Sequence, residues 1–239
     1  MPLPPAAPLS ASGRPVPTLD VESRLFARGH ALIGGVDEVG RGAWAGPVSV
    51  GIAVVATGCG PPPAGLRDSK ALSEKARERL YPAVKAWCAA SSVGHAGQEE
   101  CDLLGMSAAL RLALTRALDG LPSALQPSAY VVDGLVNMAG HDARAARAEI
   151  AMLPRADSYC ASVAAASVIA KVTRDDLMRS LAPRYPHYDL ASCKGYPSPA
   201  HIRGLEQAGL SDLHRKSWSF ASRFGQAAGV QSRLPGVDV

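Results

Sequence analysis

The chain has 239 residues and a formal net charge of +4, with 47% hydrophobic and 19% charged residues. These values are ordinary for a globular protein and fit one large domain or two small ones. The net charge is too mild to indicate a polyanionic partner by itself. The two longest nearly apolar stretches, residues 43–56 and 159–170, are interrupted by proline or serine. Both fall short of the ~18 residues that a membrane-spanning helix requires.

The beginning of the chain is rich in proline. Six of the 19 prolines lie in the first twenty residues, which lack the continuous apolar run of a secretory signal. We therefore predict a disordered leader over residues 1–28. The five cysteines are odd in number and scattered, without the paired spacing of a zinc site or a disulfide framework. A reduced, cytoplasmic protein is the simplest interpretation.

Strand-like and helical patterns alternate after the leader. Apolar runs over 31–36 and 47–56 predict two neighbouring strands joined by a glycine-rich loop. The later patterns predict, in chain order, a helix over 73–90, a strand over 91–97, a helix over 99–118, strands over 129–132 and 149–153, and a long helix over 158–181. This alternation predicts an α/β layered fold.

The composition changes after Pro183. Residues 185–224 contain six of the twelve aromatic residues and three of the six histidines. We predict a main domain over residues 29–183, an extension of the same domain over 184–225, and a flexible polar tail over 226–239.

Four carboxylates follow apolar, strand-like runs at or near their ends: Asp37, Glu38, Asp133 and Asp157. Strand ends are where ligands bind in α/β sheets. Each acid taken alone fits a turn residue or a helix cap, and Asp157 stands where an N-cap would be expected. Taken together, they favour a shared site at the edge of the predicted sheet.

A site that gathers several carboxylates needs a cation, because the acids repel one another and raise each other's pKa. Ligands that are all oxygen select hard divalent ions such as Mg²⁺ or Mn²⁺. Two such ions about 4 Å apart can activate water and stabilise both the attacking and the leaving oxygen of a phosphoryl displacement. The acids therefore predict nuclease or phosphatase chemistry.

Two geometric points limit this interpretation. Adjacent residues on a regular strand point to opposite faces, so Asp37 and Glu38 require a break or bulge in the strand if both are to reach one site. Asp175 lies 18 residues beyond Asp157 on the same predicted helix. At ~1.5 Å per residue it would be ~27 Å away, which excludes it from the site.

The residues G-V-D-E-V-G-R-G (35–42) and A-G-P-V (45–48) resemble the opening signature of ribonuclease HII, the type 2 ribonuclease H. Further elements occur in the order of that family: D-S-K (68–70), V-V-D-G (131–134), A-D-S with the serine- and alanine-rich run ending in T-R-D (156–175), K-G-Y (194–196) and H-R (214–215). Val39 and Arg155 stand where the family usually has alanine and often has lysine. Residues 134–149 match least well, and their role stays open.

The resemblance implies an RNase H-like mixed five-stranded sheet flanked by helices, with a C-terminal helical extension that binds substrate. It implies that the four acids are catalytic and bind two Mg²⁺ or Mn²⁺ ions. It also implies substrate contacts for the following residues: Gly40, Arg41, Gly42, Ser69, Lys70, Lys194 and Tyr196. Gly40–Gly42 would sense the ribose 2′-hydroxyl, and Tyr196 would pack on a neighbouring sugar.

Blander roles stay open for several of these residues. Arg41 fits a surface arginine in a flexible turn, Tyr196 fits a buried core residue, and the D-S-K element fits a cap of the following helix. We expect His201 and His214 to serve packing or backbone contacts.

The expected activity is endonucleolytic cleavage of RNA in RNA–DNA hybrids, and of the 5′ side of single ribonucleotides in duplex DNA, giving 5′-phosphate and 3′-hydroxyl ends. The expected partners are these nucleic acids, with no membrane, and the expected state is a monomer. A related nuclease, such as a resolvase or exonuclease, or a catalytically silent nucleic-acid-binding module is the alternative.

Overall fold

The computed structural model describes residues 9, 13, 15–134, 142, 144 and 147–225. The helices and strands follow in chain order: α1 (Asp20–Phe26), β1 (Leu32–Val39), β2 (Val48–Ala56), α2 (Glu74–Trp87), β3 (Ala90–Ala96), α3 (Gln98–Leu104), α4 (Met106–Asp119), β4 (Ala129–Asp133), β5 (Glu149–Leu153), α5 (Ala161–Leu181), α6 (Leu190–Cys193) and α7 (Pro199–Ala208). Short 3₁₀ turns include Ser69–Ala71 and Ala156–Ser158. In the described part of the chain, no helix is long and apolar enough to cross a membrane.

The five strands form one mixed sheet in the order β3-β2-β1-β4-β5. β1 pairs antiparallel with β2, and β2 pairs antiparallel with β3. β4 pairs parallel with both β1 and β5. The predicted α/β fold with a five-stranded mixed sheet and flanking helices is confirmed. The carboxyl ends of β1, β4 and β5 therefore meet at one edge of the sheet.

Helices cover both faces of the sheet, and alternating strand residues supply the two cores. Ile33 and Val131 face α5 and pack with Val163. Val36 and Val132 face α4, whose apolar side supplies the opposite core. This alternation fixes which side chains at the strand ends reach the α5 face.

Helix α5 lies unusually close to the sheet. A Cβ atom at Gly35 would stand 2.2 Å from the carbonyl carbon of Ser162, and one at Gly51 would stand 2.7 Å from the carbonyl oxygen of Ala166. Only glycine leaves room for this approach, and the small residues of α5 match it from the other side. The first half of α5 is buried, as the run of small residues predicts.

The structure differs from the sequence prediction in three places. The leader is not disordered up to residue 28, because α1 inserts Val21 and Leu25 into the core beneath β1. The helix predicted over 99–118 is two helices, because Gly105 adopts a left-handed φ of 75° between them. The expected break or bulge in β1 is absent as well.

β1 continues without a bulge through the register pairs Glu38↔Val50 and Val39↔Ser49. Its parallel pairing with β4 ends earlier, at Val36↔Val132. Asp37 and Glu38 therefore leave opposite faces of a regular strand, just where the neighbouring strand ends. The open edge beyond β4 makes a bulge unnecessary for both to approach the same region.

The C-terminal extension forms a further core, separate from the two cores of the sheet, with the end of α5. Tyr185, Tyr188, Leu205 and Leu213 pack there with Met178. The extension is held to the loop between β1 and β2, which is residues 40–47. The amide of Trp44 donates to the carbonyl of Gly195 at 2.8 Å, and the amide of Gly46 donates to the carbonyl of Leu213 at 2.9 Å. The residues 226–239 predicted as a tail and most of 134–149 lie outside the described residues.

Candidate active site

Asp37 and Asp133 form the centre of the site, on the α5 face of the sheet. Asp37 lies within β1 and is 2% exposed, and Asp133 is the last residue of the adjacent β4. Asp133 Oδ1 accepts a hydrogen bond of 2.6 Å from the amide of Ala156. That bond ties the end of β4 to the 3₁₀ turn that carries Asp157.

Asp157 is held in the turn that leads into α5. The turn follows Arg155, which adopts a left-handed φ of 54°. Asp157 is 5% exposed, and its Oδ2 lies 3.7 Å from the Nζ atom of Lys70. Burial, repulsion by Asp133 and contact with Asp68 raise the pKa of Asp157 to about 6, against the attraction of Lys70.

Glu38 approaches from the opposite face of β1. Its side chain is 21% exposed, and its Oε1 lies 3.7 Å from the Nη1 atom of Arg41. Burial raises the pKa of Glu38, Arg41 lowers it, and Asp133 raises it further. Asp133 is thus the common neighbour of the other three acids.

Negative charge accumulates at this edge beyond what the protein neutralises. Burial raises the pKa of Asp37 well above its usual value, although Ser167 hydrogen-bonds to it and Lys70 attracts it. The pKa of Lys70 is raised even though burial lowers it, because the carboxylates of Asp37, Asp157, Asp68 and Asp133 surround it. The charge balance of the site therefore favours binding of a further cation.

Asp68 is a fifth carboxylate that the sequence analysis did not assign to the site. It caps its own turn, because Oδ1 accepts a 2.8 Å hydrogen bond from the amide of Lys70. It also raises the pKa of Asp157 through repulsion and a side-chain contact. Its position directly before Ser69 and Lys70 in the D-S-K element was the available signal.

The ligand chemistry of the site fits a hard divalent cation, because the clustered donors are all carboxylate oxygens. Within the described residues, however, no three His, Cys, Asp or Glu side chains are already arranged to hold a metal ion. Asp37 and Glu38 leave opposite faces of β1, and the Lys70 ammonium stands among the acids. The carboxylate oxygens therefore lie in one region, but they do not surround a single metal position.

The loop of Gly40–Gly42 lies directly after β1. Gly40 has a left-handed φ of 84°, and its amide donates to the hydroxyl of Tyr196 at 3.1 Å. A Cβ atom at Gly42 would meet nothing within 4 Å, and the Arg41 side chain is 57% exposed. The structure thus brings Tyr196 to this loop and leaves the outer side of the loop open.

Tyr196 is held on several sides. The Lys171 ammonium and the Arg174 guanidinium each lie 5.5 Å from the centre of its ring. Its carbonyl is 2.9 Å from the Nδ1 atom of His201, whose Nε2 lies 3.0 Å from the Nε2 of His214. The two histidines make backbone and packing contacts, as the sequence analysis expected.

Ser69 and Lys194 do not present free polar groups at the acids. Ser69 is buried, and its hydroxyl accepts a 2.8 Å hydrogen bond from Ser167 on α5. Lys194 is 5% exposed, and its ammonium donates to the carbonyl of Ala191 and lies 3.1 Å from Glu74. Lys70, whose side chain is 71% exposed, is the lysine at the site. The phosphate contacts assigned to Ser69 and Lys194 stay predictions.

A mixed five-stranded sheet with clustered acids at the ends of its central strands defines a nuclease of the RNase H-like class. The comparison with protein families gives the same result at finer detail. Residues 34–221 match the family described as Ribonuclease HII. The chain belongs to the ribonuclease HII family, and it is a nuclease that acts on RNA–DNA substrates.

Individual relatives support this assignment. The ribonuclease HII of Streptomyces avermitilis is 44% identical over 211 residues, which cover 88% of this chain and 87% of the relative. The crystal structure of ribonuclease H2 from Pyrococcus horikoshii is 28% identical with a TM-score of 0.64, over 80% of this chain and 96% of that one. A solved structure of Bst-RNase HIII in complex with Mn²⁺ shares the fold, with a TM-score of 0.56 and 19% identity over 81% of this chain and 68% of that one.

Proposed function

We propose that this protein cleaves the phosphodiester bond on the 5′ side of a ribonucleotide, both in RNA–DNA hybrids and at single ribonucleotides embedded in duplex DNA. The products carry 5′-phosphate and 3′-hydroxyl ends. One observation carries the proposal: a cluster of acids with raised pKa values lies directly beside an open glycine loop that is bonded to Tyr196. The cluster supplies the chemistry and the loop supplies the recognition of the ribose.

Asp37, Glu38, Asp133 and Asp157 would hold two Mg²⁺ or Mn²⁺ ions. When bound, such ions lower the pKa of water and stabilise the charge that develops on the phosphate. The raised pKa values of three of these acids support the assignment, since ionised acids so close together need cations. The Mn²⁺ complex of Bst-RNase HIII, which shares the fold, is consistent with it.

The chain's own residues orient the acids and the substrate. The Ala156 amide orients the carboxylate of Asp133, and Ser167 hydrogen-bonds Asp37. Arg41 is exposed beside Glu38, where its fork of donors can grip a backbone phosphate. Lys70 offers a second cationic contact for phosphate. Most of the affinity then comes from phosphate contacts and falls with salt.

Recognition of the ribonucleotide is assigned to Gly40–Gly42 and Tyr196. A backbone without side chains lets amide and carbonyl groups approach the sugar closely. The 2′-hydroxyl both donates and accepts hydrogen bonds, and it is the group that separates RNA from DNA at one nucleotide. The open space outside Gly42 gives the sugar a place beside the loop.

The proposed biological role is removal of ribonucleotides misincorporated in DNA and of RNA in hybrids, carried out by a monomer. All five cysteines are free thiols, which supports a reducing, cytoplasmic location.

The test uses a duplex with one embedded ribonucleotide and a matched all-DNA duplex, each with Mg²⁺ or Mn²⁺. We expect the first to be cut on the 5′ side of the ribonucleotide and the second to stay intact. Asp133→Asn should abolish cleavage while duplex binding is kept, whereas Asp119→Asn, an exposed acid at the end of α4, should cleave normally. Equal cutting of both duplexes, or near-normal turnover by Asp133→Asn, would overturn the proposal.

A further inference from the structure

Two arginines lie completely buried behind the loop of residues 40–47. Arg174 on α5 and Arg215 in the extension are both 0% exposed. Within the described residues, neither forms an ion pair with a carboxylate. Burial lowers the pKa of both guanidinium groups, to about 10 for Arg215, so each stays charged at neutral pH. Buried charges of this kind are retained only where hydrogen bonds compensate for the lost water.

Arg215 binds the loop through three carbonyl groups. Its Nη2 donates to the carbonyl of Gly40 at 2.7 Å, and its Nη1 donates to the carbonyl of Arg41 at 2.9 Å. Its Nε and Nη2 both donate to the carbonyl of Gly46, at 3.2 and 3.1 Å. The ring of Trp218 lies 4.9 Å from the guanidinium carbon and restricts its orientation. One side chain thus fixes both ends of the loop.

Arg174 holds the C-terminal end of the loop and the segment that precedes Tyr196. Its Nε donates to the carbonyl of Pro47 at 2.9 Å, and its Nη2 donates to that of Ala45 at 3.2 Å. Its Nη1 donates to the carbonyl of Lys194 at 2.9 Å. A Cβ atom at Gly40 would stand 2.2 Å from Arg174 Nε, so this glycine is required for the guanidinium to fit.

These bonds determine which way the peptide groups of the loop point. In a trans peptide the carbonyl and the following amide point in opposite directions. Because the carbonyls of Gly40 and Arg41 point inward to Arg215, the amides of Arg41 and Gly42 point away from it. In the described part of the chain, no acceptor is found for either amide. Arg215 therefore turns these two amide donors toward the open side of the loop, and Arg174 fixes the other end of the loop through Ala45 and Pro47.

We propose that Arg174 and Arg215 are positioning residues for ribonucleotide discrimination: together they hold the carbonyls of Gly40, Arg41 and residues 45–47 inward and thereby aim the loop amides at the 2′-hydroxyl. The inference rests on the proposed function of this loop. It assigns specificity to side chains that do not touch the substrate, one of them in the C-terminal extension.

The test separates discrimination from catalysis and from stability. In the Asp133→Asn background, the dissociation constants for the single-ribonucleotide duplex and for a matched all-DNA duplex are measured, and their ratio gives the discrimination. Arg215→Lys and Arg174→Lys keep the charge but replace three fixed donor positions with one ammonium. We expect each to reduce the ratio about tenfold, since misplacing a recognition group by about 1 Å is costly. The matched control is Arg223→Lys, whose side chain is exposed in the same extension and, among the described residues, forms no hydrogen bond with the loop.

A second measurement tests the inference if one of the variants folds poorly. Hydrogen exchange followed by mass spectrometry should show faster exchange of the 40–47 peptide in both lysine variants, with the β2 and α5 peptides unchanged. If Arg215→Lys does not fold, the ratio in Arg174→Lys decides. An unchanged ratio in folded lysine variants overturns the inference. A parent without preference for the ribonucleotide duplex overturns the proposed function itself, so the two failures are distinguishable.

Discussion

Glu22 is a completely buried carboxylate on α1 that contacts the first turn of α5. Its replacement gives a specific prediction. Its Oε1 accepts 2.7 Å and 3.0 Å hydrogen bonds from the amide of Ser162 and the thiol of Cys160. Among the described residues, its buried Oε2 has no hydrogen-bond partner. The side chain of Cys160, the N-cap residue of α5, makes no capping hydrogen bond among the described residues. Glu22 is therefore a cap supplied from α1 for the helix that follows Asp157.

Burial raises the pKa of Glu22 above its ordinary value of 4.5, and the hydrogen bonds from Cys160 and Ser162 oppose this only in part. Because the folded-state pKa is the higher one, ionisation weakens the fold. The contribution of Glu22 to the stability of the parent is highest below about pH 4.5 and falls as the pH rises to the folded-state value. Each unit of pKa elevation corresponds to about 1.4 kcal/mol.

Glu22→Gln keeps the acceptor oxygen and removes the charge. We expect it to match the parent at about pH 4.5 and to become the more stable protein as the pH rises, by about 1.4 kcal/mol per unit of pKa elevation. Glu22→Ala removes one buried methylene and the carboxyl group, and it leaves the Ser162 amide without its acceptor. It should lose about 3 kcal/mol at the lower pH.

Urea unfolding followed by tryptophan fluorescence, at about pH 5 and about pH 8, measures these differences. Glu206→Gln is the matched control, since this glutamate is exposed on α7. If Glu22→Gln is equally destabilising at both pH values, the charge of Glu22 is not suppressed by burial and the reasoning is wrong. If Glu22→Ala is as stable as the parent, the capping role is wrong.

Four further predictions concern the site. Burial and neighbouring acids raise the pKa of Asp157 to about 6. The affinity for Mn²⁺, measured by calorimetry, should therefore fall about tenfold per pH unit below about pH 6. An affinity that does not depend on pH would contradict the metal assignment. Because this pKa is raised, the contribution of Asp157 to the thermal stability of the metal-free protein should fall as the pH rises from about 4 to 6, and Mg²⁺ should restore it. Lys70→Met should bind Mn²⁺ about tenfold more tightly at about pH 8, because a competing positive charge is removed. The same variant should lose affinity for the substrate. Weaker metal binding would refute this prediction. Gly42→Ala should keep the parent's melting temperature, since its Cβ meets open space, but should raise KM for the single-ribonucleotide duplex; an unchanged KM would show that the sugar does not approach Gly42.

The strands and the α/β class could be predicted because apolar runs and alternation are local properties of the sequence. β4 was predicted over 129–132 and spans Ala129–Asp133, and β5 was predicted with its observed bounds. The acids stood out for the same reason, as polar residues at the ends of apolar runs. The split at Gly105 was missed, because a glycine within a helical pattern does not reveal that its φ is positive.

Contacts between distant segments could not be predicted. Glu22 lies in a stretch that composition marked as disordered, and its role depends on Ser162, 140 residues away. Arg174 and Arg215 were each part of a recognised sequence element, but nothing local indicates that both would turn inward to carbonyls. Asp68 was visible in the D-S-K element, which fitted a helix cap, and it was not assigned to the site because its neighbour Asp157 is far along the chain.

Helix α5 connects the two halves of the proposed site. Its first turn, shortly after Asp157, is capped by Glu22. Ser167 donates to Ser69 and lies beside Asp37, whose pKa it lowers. Further along, Lys171 and Arg174 flank Tyr196. From Ser162 to Arg174 the helix rises ~18 Å, which is a span that one rigid element can hold in fixed register. The close approach of α5 to Gly35 and Gly51 fixes that register against the sheet, so the distance between the acids and the loop of residues 40–47 is set by the packing of a single helix.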